Sequence, residues 1–160
     1  MATMAVFALD TEANAQAMAE KLISLQKQQL ITIDDAAIVT RKADGKPKIK
    51  QLNNLVGAGA MGGAFWGMLF GLLFFVPWLG LAVGAVTGAM AGKFSDVGID
   101  DNFIKEVGSS ITPGTSALFI LAENTVVDKV LPEIKSFNPK IIKTSLSAEQ
   151  DAKLRELLGV

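Results

Sequence analysis

Apolar and polar positions along this chain follow three different rhythms. Thr3 to Leu9 is a short apolar run carrying Val6 and Phe7, and it predicts a buried strand. Asp10 and Thr11 offer an N-cap, and Glu12 places an anion where the helix dipole favours one. Ala15, Met18, Ala19, Leu22 and Leu25 then recur at helical spacing, with Glu20, Lys21 and the run from Gln26 to Gln29 on the other side. Ile31 to Thr40 predicts a second strand, and Asp44-Gly45 within Ala43 to Lys46 is a hairpin turn signal. Lys48, Ile49 and Lys50, leading to Leu52, predict a short polar strand basic enough for a sheet edge or for lipid headgroups.

The same two rhythms return late in the chain. Asp100 and Asp101 cap a short helix whose face is Phe103, Ile104, Val107 and Ile111, and Thr112-Pro113-Gly114 stops it. Ser116 to Ala122 is apolar on both faces and predicts a central strand. Asn124-Thr125 reads as the cap of a helix with Val127, Val130, Leu131 and Ile134 inward, kinked or broken around Pro132. Lys140 to Leu146 predicts a last strand. Ser147 to Gln150 is a capping box opening a helix with Leu154, Leu157 and Leu158 inward. With residues 43–113 set aside, the order is βαβ followed by βαβ. That predicts an α+β fold, a ferredoxin-like sandwich with an antiparallel sheet and both helices on one face.

The third rhythm has no polar beat. Gln51 to Gly92 spans 42 residues without Asp, Glu, Lys or Arg. Two glycine ladders run through it at a spacing of four: Gly59, Gly63, Gly67 and Gly71, then Gly80, Gly84, Gly88 and Gly92. Glycine weakens a helix in water by about 1 kcal/mol relative to alanine. In hydrocarbon, where every amide must be satisfied internally, a small-xxx-small stripe instead lets two helices approach closely. The stretch therefore predicts a helical hairpin turning at Pro77, ladder against ladder, in a bilayer. Leu55 to Phe75 would measure roughly 31 Å as a helix, against a hydrocarbon core of about 30 Å. Trp78 to Gly92 would measure roughly 22 Å, so the hairpin either crosses or re-enters on one side. Phe65, Trp66, Phe70, Phe74, Phe75 and Trp78 read as bulk facing lipid, with Trp78 at an interface. Burial in a soluble core is the other home for such a stretch, though ten glycines in a charge-free run are uncommon there.

The expected organisation is thus residues 1–52 as the first half of a globular domain, 53–93 as the membrane hairpin, and 94–160 as the second half with a C-terminal helix. A net charge of −1 leaves no footprint for nucleic acid. The N-terminus lacks a basic region and a long apolar core, so the hairpin would act as its own insertion signal. Arg41, Lys42, Lys46, Lys48 and Lys50 precede the hairpin and Lys93 follows it, which puts both ends and the globular part in the cytoplasm. Lys50 and Lys93 then lie at the membrane interface with Trp78.

Chemistry is sparse. With no Cys and no His, Cys–His and Ser–His nucleophiles are excluded and zinc is not expected. Asp34-Asp35 and Asp100-Asp101 read as turn and cap residues rather than as acid–base or metal pairs. Gly88 to Lys93 has the wrong spacing for a phosphate loop and ends on Phe94. No catalytic, cofactor-binding or metal-binding residue is expected.

Several segments carry a resemblance: the strand-helix-strand start, the glycine-rich hairpin, Gly98-Ile-Asp-Asp-Asn-Phe-Ile-Lys-Glu-Val-Gly108, Pro113-Gly-Thr-Ser-Ala-Leu-Phe-Ile-Leu121 and Leu146-Ser-Ala-Glu-Gln150. Over nearly its whole length the chain resembles a bacterial family of small membrane proteins known only as a domain of unknown function. The resemblance implies a bacterial membrane protein and no activity. The expectation is therefore a non-enzymatic protein of the bacterial inner membrane that self-associates through its ladders, its partners being the bilayer and further copies of itself. A pore component built on the ladders, with Thr87 the one polar group at depth, and a tethered ligand-sensing domain are the alternatives.

Overall fold

The computed structural model of the protein describes residues 3–52, 66, 69–71, 73 and 97–158. Strand β1 (Thr3–Leu9), helix α1 (Glu12–Lys27), strand β2 (Thr32–Arg41) and strand β3 (Pro47–Gln51) make the first half. Helix α2 (Asp101–Ser110), strand β4 (Ser116–Glu123), helix α3 (Val127–Ile134), strand β5 (Lys140–Thr144) and helix α4 (Ala148–Leu158) make the second. The five strands form one sheet in the order β3-β2-β4-β1-β5, with every neighbouring pair antiparallel.

This order interlocks the two halves. β4 lies between β1 and β2, and β1 lies between β4 and β5, so each βαβ unit holds a strand of the other in its middle. β4 pairs with β1 from Leu9–Ser116 to Thr3–Ala122, and with β2 from Thr40–Ser116 to Thr32–Glu123. It is the central strand that its apolar sequence predicts, buried from Ser116 to Ala122. Among the described residues β3 pairs with β2 alone and forms one edge.

Side chains alternate across a strand, and both faces of this sheet are apolar. On the first face, Phe7, Leu9, Ile33, Ile38, Leu118 and Ile120 pack against α1, α3 and α4. Met18, Leu22 and Leu25 of α1, Val130, Leu131 and Ile134 of α3, and Leu154 and Leu158 of α4 fill that layer. On the second face, Met4, Val6, Ala37, Val39, Ala117, Phe119 and Leu121 pack against α2 and against residues from the charge-free stretch. The structure thus has three layers, where the sequence pattern alone predicts two.

Local signals hold with exceptions. Thr11 accepts from Asn14 N at 3.0 Å, Asp100 from Phe103 N at 2.8 Å, and Ser147 from Gln150 N at 3.3 Å, so three expected caps form. Asn124 does not cap. It sits at φ 53°, the N-cap position is Val126, and no side chain caps α3. α3 keeps Pro132 in its interior but ends two residues later, giving way to a 3-10 turn over Lys135–Phe137. β5 stops at Thr144, two residues short of expectation, and Leu157 is exposed rather than inward. The Asp34-Asp35 pair is in β2 at a bulge, not in a turn.

Candidate functional site

The second face of the sheet is built around Phe119. In register, Phe119 lies opposite Val6 on one side and Ala37 on the other, so its ring rises from a floor of smaller side chains. Trp66 and Phe70 stand on it edge-on, with ring centroids 6.3 Å and 5.1 Å from Phe119 and interplanar angles of 86°. Trp66 and Phe70 stack on each other at 5.6 Å. Trp66, Leu69, Phe70 and Leu73 are all buried here, and their spacing of three, four and seven residues is one face of a helix. Edge-to-face ring pairs of this kind contribute about 0.5–1.5 kcal/mol beyond the area they bury.

Helix α2 and the residue that closes it pack on the same face through Phe103, Val107 and Ile111, each all but inaccessible to solvent. Its sequence makes the covering possible in a second way. A Cβ on Gly108 would stand 2.8 Å from the carbonyl oxygen of Leu73. α2 and the charge-free stretch therefore meet backbone to backbone, at a glycine whose missing side chain the close approach needs.

This placement corrects one expectation. Trp66 and Phe70 do not face lipid in this structure; they face the sheet, because β4 is apolar on both sides and its second face must be covered. Gly71 is helical and half-buried. Gly59, Gly63, Gly67, Gly80, Gly84, Gly88 and Gly92, together with Trp78, Lys93, Phe65, Phe74 and Phe75, lie outside the described residues. Among the described residues no helix is long and apolar enough to cross a membrane. Lys50 is exposed on the edge strand β3.

Among the described residues the carboxylates are placed as follows. Asp100 is the cap of α2. Asp35 is fully buried at the β2 bulge and accepts from Ala36 N at 2.9 Å. Asp34 is pushed above the ordinary carboxylate range, first by burial and then by Glu123 beside it. Asp151 goes the other way. Burial alone would raise it, but hydrogen bonds from Arg155 at 2.8 Å and Thr144 at 2.7 Å prevail and hold it low. Among the described residues no group of three acidic side chains could hold a metal ion. A shallow polar hollow of about 280 Å³ lies at the end of β1, where Asp10, Thr115, Asn138 and Lys140 line it. Asp10, Asn138 and Lys140 are exposed there, so they keep their hydration and form no enclosed site.

The residues that reasoning from sequence missed are Gly108 and the quartet Trp66, Leu69, Phe70 and Leu73. Inside a uniformly apolar run a helix face has no polar contrast, so periodicity could not single the quartet out. The signal that existed lay elsewhere, in Met4, Val6, Phe119 and Leu121: a sheet with two apolar faces needs two covers.

A family model described as a protein of unknown function (DUF1269) matches residues 60–159. No curated protein and no solved structure matches the chain.

Proposed function

We propose that this chain, which belongs to that family of proteins of unknown function, is a non-enzymatic anchor protein of the bacterial inner membrane. Its α/β domain faces the cytoplasm, and copies associate through the glycine ladders. The observation that carries the reading is the 42-residue charge-free run from Gln51 to Gly92 with its two ladders. Its charge asymmetry supports the orientation, since five basic residues immediately precede it. The strand order β2-β4-β1-β5, with α1 and α3 on one face, supports a ferredoxin-like domain to which β3 is added as an edge.

The docking of Trp66, Leu69, Phe70 and Leu73 on the sheet bears on which residues meet lipid. Those four side chains cannot lie on Phe119 and in hydrocarbon at once. Phe74 to Gly92 remains, 19 charge-free residues carrying the second ladder. Because β4, which follows the run, pairs with β1 and β2, which precede it, both ends of this segment must lie on one side of the bilayer, which favours entry and exit by the same face. Fixed on the sheet, the first limb holds the globular domain against the bilayer instead of at the end of a tether.

Oligomer size in mild detergent tests the assembly. Gly84→Leu puts an isobutyl group into the second ladder, where overpacking costs about 1–3 kcal/mol, while lipid exacts no hydrophobic penalty for it. The variant should enter membranes but lose the assembly, and Leu72→Ala should retain it. Equal sizes for the parent and both variants would overturn the ladder reading. Recovery of the parent in the soluble fraction would overturn the anchor itself.

A further inference from the structure

The β2–β3 hairpin concentrates positive charge at one corner of the sheet. Residues 41–51 hold Arg41, Lys42, Lys46, Lys48 and Lys50 against the single acid Asp44, in a chain whose net charge is −1. Arg41 shapes the corner by donating to the carbonyls of Gly45 at 3.0 Å and Ile111 at 2.8 Å. Asp44 is occupied in the turn, accepting from Lys46 N at 2.9 Å, and Lys48 pairs with Glu12 at 3.2 Å. Lys42, Lys46 and Lys50 are exposed, and no described residue forms an ion pair with them.

Among these lysines stands Ile49, 43% exposed and the most exposed large apolar side chain described. It lies opposite Val39, on the face that carries Phe119, while Lys48 and Lys50 lie opposite Thr40 and Ile38 on the other. Lysines on an edge strand often serve only to prevent pairing with another chain. A strand guarded for that purpose gains nothing from an uncovered isoleucine at its centre. Two residues after Ile49 the charge-free run begins. Exposed lysines at the turn and on one face of the edge strand, with an exposed isoleucine on its other face, are joined directly to an apolar run, an order that matches the layered chemistry of a membrane surface: phosphate outside, hydrocarbon within.

We infer that the β2–β3 hairpin docks on anionic phospholipid headgroups, with Lys42, Lys46 and Lys50 at the phosphates and Ile49 in the upper acyl region. The lysine stems are long enough to keep their ammonium groups in the headgroup layer while Ile49 goes deeper. This rests on the anchor reading above and adds its lipid preference.

Because the chain has no cysteine, Ile49→Cys in the full protein can carry a single environment-sensitive fluorophore. The protein is reconstituted into zwitterionic phosphatidylcholine vesicles and into vesicles with about one third phosphatidylglycerol. The label should report an apolar setting only with the anionic lipid. It should return toward water in about 1 M salt, where the Debye length is near 3 Å. Each lysine near an anionic surface is worth roughly a fivefold change in affinity, so Lys46→Gln with Lys50→Gln should weaken the response about 25-fold in lipid titration. A label equally wet in both lipids, on protein that floats with the vesicles, would overturn this inference and leave the anchor standing. So would a response to duplex DNA in place of anionic vesicles. Protein that does not float with either vesicle would overturn both.

Discussion

Gly108→Ala separates two opposed effects by sign. In an isolated helix the change is favourable by about 1 kcal/mol, because alanine loses less backbone freedom than glycine. In this structure the new Cβ would meet the carbonyl oxygen of Leu73 at 2.8 Å, a separation that real Cβ atoms essentially never show. Ordinary contact begins near 3.4 Å, so α2 and the docked stretch must part by several tenths of an ångström. The obstacle is backbone and cannot rotate away. Phe103, Val107 and Ile111 on one side and Trp66 and Phe70 on the other are tightly packed against the sheet and resist the shift. Overpacking of that kind costs about 1–3 kcal/mol. Set against the helical gain, the net is a loss of up to about 2 kcal/mol. At the size of this chain 1 kcal/mol moves the melting temperature by roughly 2–4 °C.

The assay is urea unfolding of the full chain in mild detergent, followed by far-ultraviolet circular dichroism. Ser109→Ala is the control: it is exposed on the same helix, its hydroxyl donates to Glu106 O at 3.2 Å, and it should change stability by less than about 0.5 kcal/mol. A Gly108→Ala protein more stable than its parent would refute the reasoning, since the helical gain would then be unopposed and Leu73 could not lie over α2.

Two carboxylates should tilt the stability curve in opposite directions. Asp151 is held below its ordinary value near 3.8, so its contribution is present above that pH and is lost as pH falls through the depressed value. Asp151→Asn should therefore be destabilised near neutral pH and converge on the parent in acid. Asp34 is raised above 3.8, so the folded state holds its proton longer than the unfolded state, and stability falls as pH rises through that window. Asp34→Asn should be the more stable protein near neutral pH and lose its advantage below the window. Urea midpoints measured from acid to neutral pH check both, and parallel curves for either variant would exclude the corresponding assignment.

The interlocked sheet was legible because its signals are local and mutually consistent. Thr11, Asp100 and Ser147 cap where side-chain oxygens precede periodic apolar runs, Asp44-Gly45 turns the hairpin, and Ser116–Ala122 is apolar throughout. Where a local signal was weak, long-range packing prevailed. Asn124 looks like a cap by composition, yet it takes a left-handed conformation that lets Val126 N donate to Leu30 O at 2.8 Å, tying the start of α3 to the segment before β2. The site itself was illegible for a different reason. Trp66, Leu69, Phe70 and Leu73 have the same composition whether they face lipid or Phe119, so their sequence cannot distinguish the two. Only the sheet, by offering a second apolar face, does so.

In the proposed anchor, sheet and bilayer compete for those residues. Lipid tails are as apolar as leucine, so leaving the sheet for the bilayer gains Trp66, Leu69, Phe70 and Leu73 almost nothing. The face left behind would lose. Ala37, Val39, Phe119 and Leu121 are completely or almost completely buried, and uncovering them to water costs about 25 cal/mol for each Å² exposed. The balance favours the docked arrangement even beside a membrane, and it predicts different surroundings for the two tryptophans of the chain. On the proposed anchoring, Trp78, which follows Pro77, would meet lipid, whereas Trp66 is held against Phe119. Two single-tryptophan proteins, Trp66→Phe and Trp78→Phe, can be reconstituted with lipids brominated along the acyl chain, which quench only tryptophans in contact with them. The protein retaining Trp78 should be strongly quenched and the one retaining Trp66 should not. Strong quenching of Trp66 would show that the first limb leaves the sheet for the membrane and that α2 alone covers the second face.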